Sequence, residues 1–224
     1  ALPLTLAAWF RSDSLTINQA ILALATSTSQ SSYRIQASGA VADDPLQAVA
    51  ESSSGTIGDA ESSIAYSANV WGHAGGVFIS TTSRDVYLNG GNKGSNATSV
   101  TVGTPDRIAI GRNPQSPPEL YFSGDVAEAA VWDVALTAAE IALLGKAASP
   151  LMVRPASLVF YCPIIGFYGP EIDVIGKFNM VASAAEPTKS AHPRVFYMPP
   201  PRQGVAAAGA VNATVAAALM TATM

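Results

Sequence analysis

Few residues of this sequence could act as an acid, a base or a nucleophile. The two histidines, His73 and His192, have no serine or cysteine arrangement around them that would complete a catalytic triad. The one cysteine, Cys162, lies in the apolar run SLVFYCPII, where a buried thiol is inert. No Cys/His grouping has the spacing of a transition-metal site. The sequence therefore predicts a protein that binds and does not catalyse.

The composition describes a chain with little charge on its surface. It has 224 residues, of which 49% are hydrophobic and 12% are charged, about half of the roughly 25% usual in soluble domains. This predicts that a partner covers part of the surface. The formal net charge is −4 with the two signs mixed along the chain, and no Lys/Arg cluster forms a surface that could follow nucleic-acid phosphates.

The sequence offers no segment for a membrane. No apolar stretch approaches the ~20 residues that span a bilayer. The first residues, ALPLTLAAWFRSD, contain no basic segment of the kind that opens a signal peptide. We therefore expect a protein made in the cytoplasm.

Short β-type runs separated by turn residues fill the first two-thirds of the chain. In SSYRIQAS, apolar Tyr33 and Ile35 alternate with polar Arg34 and Gln36, and this period of two directs one face of a strand to a core and the other to solvent or a second layer. Residues 89–91, Asn-Gly-Gly, mark a tight turn. The pattern predicts an all-β sandwich.

One short helix interrupts the β pattern. Thr137 and Glu140 have capping-box spacing, so that each side chain can bond to the backbone of the other residue. Ile141 and Leu144 supply an apolar side, and Gly145 is expected to end the helix in a left-handed conformation.

The C-terminal part changes in character. ASLVFYCPIIG reads as a buried strand and EIDVIGKFNMVAS as one or two more, so we place the sandwich domain at residues 1–185. Residues 186–224 contain a short aromatic strand, a proline run and an uncharged apolar end. A disordered tail is one interpretation; because disordered tails are usually polar, an arm that packs on another copy or on a neighbouring protein is the other. The expected interface residues are Arg194, Val195, Phe196, Tyr197, Met198, Leu219 and Met220.

Several segments, taken in order, resemble the laminin-G-like, pentraxin-related branch of the concanavalin A-like sandwiches. They are LTLAAWFRSD, NVWGHAGGVFISTTSRDVYLNG, DRIAIGRNP and YFSGDVAEAAVWDVALTAAEIALL, which together cover residues 4–145. The resemblance implies an antiparallel jelly roll. The next segment, SLVFYCPIIGFYGPEIDVIGKFNMVAS with the later HPRVFY, is similar to a strand that often opens such domains, but here it follows the helix instead of preceding the first strand. This arrangement resembles that of laminin-G-like proteins of bacteriophages and prophages, so the resemblance points to a virion protein.

The resemblance also raises an enzymatic alternative. Retaining β-glucanases of similar fold carry the strand motif Glu-Ile-Asp-x-x-Glu, and this chain has Glu171, Ile172 and Asp173 but Gly176 at the last position. Retention requires a second carboxyl group about 5–5.5 Å from the first. Since Gly176 cannot supply it, we expect no enzyme.

Calcium is the one cofactor that the resemblance suggests, because relatives bind it through loop carboxylates and carbonyl oxygens. The acidic groups considered for calcium are Asp43 with Asp44, and Asp125 with Glu128; Ala127 replaces the family's aspartate between the latter two. We expect structural or solvated carboxylates at both places, and no cofactor.

Glycan binding would require exposed aromatic side chains with polar groups beside them. Trp9, Trp71 and Trp132 all fall in predicted strands and are expected in the core. Phe167 and Tyr168, in the turn GFYGP, are the aromatic residues that a loop would expose. They are the candidate glycan contacts, with a packing or interface role as the alternative.

Two functions remain as expectations. The first is a non-catalytic virion protein, a capsid decoration or cement protein that forms homo-oligomers and contacts a capsid protein through the C-terminal arm. The alternative is a carbohydrate- or receptor-binding module, as in a tail fibre or a surface adhesin.

Overall fold

The computed structural model describes residues 2–165, 171–178, 180–181 and 190–196. Strands dominate these ranges, together with one α-helix and two short 3₁₀ turns at Pro150–Met152 and Pro155–Ser157. No helix among the described residues is long and apolar enough to cross a membrane. The elements are β1 Leu4–Ser12, β2 Asn18–Ala25, β3 Ser32–Ser38, β4 Pro45–Glu51, β5 Ile57–Ala65, β6 Gly72–Ser80, β7 Ser83–Leu88, β8 Gly91–Asn96, β9 Arg107–Ile110, β10 Gly124–Trp132, α1 Ala138–Gly145 and β11 Leu158–Cys162.

The strands form two antiparallel sheets that pack face to face. The six-stranded sheet has the order β11-β10-β1-β6-β7-β8, and the five-stranded sheet has the order β5-β4-β3-β2-β9. The predicted all-β sandwich with one short helix is confirmed. The predicted strand at SLVFYCPII is also confirmed: it is β11, which pairs with β10 at the edge of the six-stranded sheet.

The main core lies between the two sheets. Leu6 and Phe10 from β1 pack there with Ile35 from β3 and Leu46 from β4. The sheets approach closely at Gly76, where an added Cβ would lie only 2.5 Å from a methyl carbon of Ile35. A glycine at this position therefore sets the spacing of the two layers.

A second apolar cluster covers part of the outer face of the six-stranded sheet. Helix α1 contributes Ile141 and Leu144, which pack with Val77, Tyr87 and other side chains of that face. The helix also contacts the β7–β8 turn, in which Asn89 and Gly90 both have positive φ angles of 56° and 74°. This two-residue turn matches the one predicted from the Asn-Gly pair.

The predicted capping box of α1 is confirmed, whereas the predicted end of the helix is wrong. The Glu140 amide donates to Thr137 Oγ1 at 3.3 Å, and the Thr137 amide donates to Glu140 Oε2 at 2.8 Å. The left-handed residue after the helix is Ala147, with φ 67°. Gly145 serves close packing instead, because an added Cβ would lie 2.5 Å from the backbone nitrogen of Gly90.

Residues 171–178 do not form the strand that the sequence predicts. The buried Asp173 carboxylate accepts hydrogen bonds from four backbone amides, those of Tyr161, Ile175, Lys177 and Phe178, at 2.9–3.1 Å. Because these amides bond to a side chain, they are not available to pair with a neighbouring strand, and the segment forms a compact turn against the edge of β11.

The described part of the predicted arm lies on the domain itself. Ser190 accepts a hydrogen bond from Arg11, and His192 Nε2 lies 2.9 Å from the carbonyl oxygen of Pro163. Phe196 forms a parallel bridge with Ala148 and is the one strand-like residue among 190–196. The segment 190–196 is therefore held by three separate parts of the sandwich.

Replacement of Thr137 by Ala should lower the free energy of unfolding by about 1 kcal/mol, because alanine lacks the Oγ1 that accepts from the Glu140 amide and donates to the Glu140 carboxylate. Urea denaturation followed by circular dichroism measures the change. The matched control is Thr101→Ala, an exposed threonine in the β8–β9 connection, which should change stability by less than about 0.5 kcal/mol. Equal effects of the two substitutions would contradict a stabilising role for the capping box.

Candidate functional site

On β3, β4 and β5, the outer face of the five-stranded sheet carries a layer of polar side chains. Most apolar residues of these strands face the core, so the alternate residues face outward; the outward set includes one buried apolar residue, Val49. We call the polar residues of the outward set the polar layer. It consists of Ser32, Arg34, Gln36, Ser38, Gln47, Glu51, Asp59 and Glu61.

An ion pair between Arg34 and Glu51 occupies one end of the polar layer. Arg34 Nη1 lies 2.6 Å from Glu51 Oε2, and the exposed fractions of the two residues are 5% and 7%. Arg34 also donates to Gln36 Oε1 at 2.7 Å and to Ser32 Oγ at 2.8 Å. A buried ion pair is stable only when further hydrogen bonds satisfy its remaining groups, and these two neighbours provide them.

Gln47 links the middle of the polar layer to its rim. Its Oε1 accepts from Gln36 Nε2 at 2.8 Å and from Ser38 Oγ at 2.6 Å. Its Nε2 donates to Asp59 Oδ2 at 3.1 Å and to Glu61 Oε1 at 2.8 Å. Gln47 is buried, Asp59 is partly exposed and Glu61 is exposed. The layer is thus a fixed hydrogen-bonded network whose carboxylate end reaches solvent at β5.

Small apolar side chains continue the same face on β2. By strand register, Ala20 lies opposite Gln36, and Ala23 lies opposite Arg34, so small side chains of β2 continue the rows of the polar layer. At the edge of β2, the Leu120 carbonyl accepts a hydrogen bond from the Ala20 amide at 2.8 Å. The next residue, Tyr121, is 59% exposed. It is an exposed aromatic residue that the sequence analysis missed, although the loop prolines before it were a signal.

The predicted acidic pairs do not come together as a cation site. Asp43 and Asp44 lie in the β3–β4 turn with φ angles of 64° and 43°. Asp125 is ion-paired with Arg11, and Glu128 is directed toward other residues. Within the described ranges, no group of three or more His, Cys, Asp or Glu residues could hold a metal ion. That both pairs are structural or solvated carboxylates, with calcium as the alternative, stays a prediction.

Glu128 is a buried carboxyl group on the outer face of the six-stranded sheet. Its Oε2 accepts a hydrogen bond from the Tyr161 hydroxyl at 2.7 Å, and its Oε1 lies 3.4 Å from His192 Nε2. Burial raises the pKa of the Glu128 carboxyl, while the Tyr161 hydrogen bond and the charge of His192 oppose the rise.

The structure corrects two of the three tryptophan assignments. Trp132 is fully buried and donates to the Val153 carbonyl at 2.7 Å, as expected for a core residue. Trp9 and Trp71 are only partly buried and belong to neither apolar cluster. Trp9 alternates with the inward Phe10 and therefore lies on the outer face, beside His73. Trp71 precedes β6 and lies under the Arg11 guanidinium.

The residues that were considered for catalysis are buried or hydrogen-bonded to the backbone. Burial raises the pKa of the Cys162 thiol to about 12, so this residue is not a nucleophile. Asp173 of the glucanase-like motif is occupied by four backbone amides. Burial lowers the pKa of His73 to about 3, which keeps the imidazole neutral.

Most residues of the predicted contact sets lie outside the described residues. This applies to Phe167 and Tyr168 and, in the arm, to Tyr197, Met198, Leu219 and Met220. Of the interface set, Arg194 and Phe196 are exposed and Val195 is partly buried. The glycan-contact and interface assignments therefore stay predictions.

The neutral state of His73 should make stability depend on pH. Because its folded-state pKa lies below the model value of 6.5, the unfolded chain binds a proton that the folded protein does not, and stability falls as pH drops from about 6.5 toward 3. Between about pH 7 and about pH 5 the loss from this group is about 2 kcal/mol. Urea denaturation at both pH values should show a correspondingly smaller loss for His73→Gln. The same pH dependence in both proteins would contradict this assignment.

Solved structures share the fold at low sequence identity. A heptameric serum amyloid P-like pentraxin from Limulus polyphemus matches with a TM-score of 0.52 and 18% identity, over 66% of this chain and 71% of the pentraxin. A protein from Bacteroides ovatus, described as a candidate carbohydrate-binding protein, matches with a TM-score of 0.59 and 19% identity, over 78% of this chain and 50% of that protein. The CBM40 module of the Ruminococcus gnavus IT-sialidase, solved with α2,3-sialyllactose, matches with a TM-score of 0.51 and 10% identity, over 64% of this chain and 82% of the module.

Sequence comparison identifies the family. Curated protein sequences give no match. A laminin G-type family model, described as the concanavalin A-like lectin/glucanases superfamily, matches residues 2–142, which is more than half of the chain. The match ends within α1, so it includes both sheets except β11. The chain therefore belongs to the laminin G-type family of the concanavalin A-like lectin/glucanases superfamily.

Proposed function

We propose that this protein is a non-catalytic carbohydrate-binding domain, and that the β5 rim of the polar layer contacts the sugar. The observation that carries the proposal is the position of Gln47. Its amide group holds the carboxylates of Asp59 and Glu61 at 3.1 and 2.8 Å and is itself held by Gln36 and Ser38. Two carboxylates at the edge of a sheet are thereby fixed in place before any ligand arrives.

Fixed carboxylates suit sugar hydroxyl groups. A hydroxyl donates to a carboxylate in a charge-assisted hydrogen bond, which is stronger than a bond between neutral groups. A preorganised acceptor loses little conformational freedom on binding. The buried remainder of the layer, from Gln47 to Arg34, would keep the rim in this geometry.

The extent of the face favours an oligosaccharide. Glu61, Gln47, Gln36, Ala20 and Leu120 are successive partners across the sheet. They span four strand spacings, about 19 Å at ~4.8 Å per strand. The exposed Tyr121 ring therefore lies far from the carboxylate rim, and a ligand that used both would contain several sugar units.

The comparisons support binding without catalysis. The Bacteroides ovatus protein and the CBM40 module share this fold and are described by sugar binding, and the one paired-carboxylate motif of the sequence is engaged in a backbone turn at Asp173. We place the domain in a surface-recognition setting, such as a tail fibre or an adhesin, with Phe167 and Tyr168 as additional candidate contacts.

Removal of the rim charges should weaken sugar binding. A glycan array identifies a ligand, and isothermal titration calorimetry then compares the natural chain with the Asp59→Asn/Glu61→Gln double variant. Loss of two charge-assisted bonds should weaken binding about tenfold or more. Asp133→Asn makes the same kind of change at an exposed site on the other sheet, and its affinity should equal that of the natural chain. An array without signal, or equal affinities in all three proteins, would contradict the proposal.

A second candidate function is assembly through the C-terminal segment, as in a capsid decoration protein. The observation that favours it is the geometry of Phe196. Its backbone is fixed by hydrogen bonds to Ala147 and Ser149 at 2.7 and 3.0 Å, yet the residue is 67% exposed. Leu143 and Leu151, close in sequence to these partners, are 52% and 38% exposed. An apolar group held rigidly at the surface suits contact with a second copy or a capsid protein.

Light scattering after size exclusion tests this assembly. The full chain should form oligomers, whereas a chain that ends at residue 196 should be monomeric, because it keeps the Phe196 bridge but lacks the apolar end. Phe196→Ala in the full chain should weaken association, while Ile79→Ala, at an exposed position on the β6–β7 hairpin, should not. Monomers in every case would exclude self-association through this segment.

A further inference from the structure

Strands β1, β6 and β10 place a second set of aromatic and polar side chains on the outer face of the six-stranded sheet. Trp9 lies opposite His73 on β6 and Ala127 on β10, and Arg11 lies opposite Asp125. The set begins where α1 stops covering the sheet, since Ile141 packs over Gly75, two residues from His73. We call Trp9, Arg11, Trp71, His73, Asp125 and Glu128 the tryptophan site. It lies on the sheet that does not carry the polar layer.

Two buried polar atoms at this site lack hydrogen-bond partners. His73 Nδ1 and Glu128 Oε1 belong to residues that are each 2% exposed, and neither atom has a hydrogen bond within the described part of the chain. His73 is the neighbour of Trp9 on β6 and its ring contacts the Trp9 ring, while Glu128 follows the neighbour of Trp9 on β10, with its Oε1 3.4 Å from His192 Nε2. Buried polar atoms are nearly always paired in folded proteins, so the unpaired His73 Nδ1 beside the Trp9 ring indicates a missing ligand, and Glu128 Oε1 is a second acceptor on the same face.

The backbone of Glu128 is strained at the same place. Its φ angle is 54°, in the left-handed region that residues with a Cβ rarely adopt. It lies in a β-bulge, since Ala7 pairs with Ala130 and Trp9 pairs with Ala127, which leaves two residues of β10 opposite one of β1. Bulges redirect side chains and are frequent next to binding sites. Here the bulge turns the carboxyl toward Tyr161 on the outer face.

The charged groups of the tryptophan site are already paired. The Arg11 guanidinium donates to Asp125 Oδ2 at 2.7 Å and stacks 5.7 Å from the Trp71 ring centroid. Glu128 lies beside His192. A charged ligand would therefore find no free counter-ion among these side chains, whereas a neutral polar ligand needs none.

We propose that the tryptophan site binds a neutral sugar ring, independently of the polar layer. The apolar face of the ring would stack on an indole, and hydroxyl groups would bond to Glu128 Oε1 and His73 Nδ1. A hydroxyl both donates and accepts, so it pairs with a carboxyl oxygen and with an imidazole nitrogen in either tautomer. Two sugar sites on opposite sheets would let one molecule bridge two glycan chains, with the gain in avidity that bivalency gives.

Tryptophan fluorescence reports on this site selectively. The chain has three tryptophans; Trp132 is fully buried in the second apolar cluster, and the other two belong to the tryptophan site. Titration of the full chain with methyl α-glucopyranoside, methyl β-galactopyranoside, N-acetylglucosamine and arabinotriose should give, for at least one sugar, a saturable change in emission. No change with any of the four sugars at millimolar concentration would overturn the proposal.

Two variants test the assignment. Glu128→Gln keeps the shape of the side chain, and Trp71→Ala leaves Trp9 as a reporter; each should weaken the sugar affinity about tenfold or more. Thermal unfolding shows whether each variant is folded. If Glu128→Gln does not fold, Trp71→Ala alone tests the assignment. Affinities equal to that of the natural chain in the folded variants would overturn the proposal.

The rim variant of the five-stranded sheet separates this site from the proposed function. In Asp59→Asn/Glu61→Gln the emission change should persist with unchanged affinity, even where calorimetry shows that rim binding is lost. Loss of the emission change in that variant would mean that the tryptophans respond to ligand bound on the other sheet, and would overturn an independent site. If the array and calorimetry show no binding at the rim but the natural chain still gives the emission change, the tryptophan site is supported and the proposed function at the rim is not.

Discussion

The burial of both faces of β3 and β4 is the constraint on which the five-stranded sheet depends. Every residue of these two strands is buried. Most of their apolar residues meet the core, so their buried polar side chains need partners on the outer face, which they find in one another and in β5. This explains why Arg34, Gln36, Gln47 and Glu51 bond along and across the strands in one network. It also explains why the network reaches solvent only at β5, where the carboxylates have one side free of the sheet.

Much of the fold could be predicted because local patterns agreed with it. Alternation in β3, the Asn-Gly turn and the capping box each specify their structure within a few residues. The sequence also indicated which faces Trp9 and Phe10 occupy, because alternate residues of a strand share a face. Phe10 alternates with Leu4 and Leu6, whereas Trp9 alternates with Arg11. The outward position of Trp9 was therefore present in the pattern, although hydrophobicity alone assigned it to the core.

The rest could not be predicted because it depends on contacts between distant segments. Asp173 forms a turn only because the Tyr161 amide at the edge of β11 lies beside it. Gly145 is packed against Gly90, 55 residues earlier, and nothing in its local sequence distinguishes this role from a helix end. Burial of the polar layer likewise depends on tertiary structure, since alternation alone allowed solvent or a second layer outside β3.

The strand order also determines when each sheet can form along the chain. β2, β3, β4 and β5 are consecutive hairpins, so most of the five-stranded sheet closes only short loops. β1 instead lies between β6 and β10, and its Arg11 donates a hydrogen bond to Ser190, 179 residues later in the chain. During synthesis the first strand must wait for most of the chain before both of its edges are paired. The contact of β1 with residues 190–196 can form only after nearly the whole chain has left the ribosome, and strand pairings of such large sequence separation are the kind that slow folding.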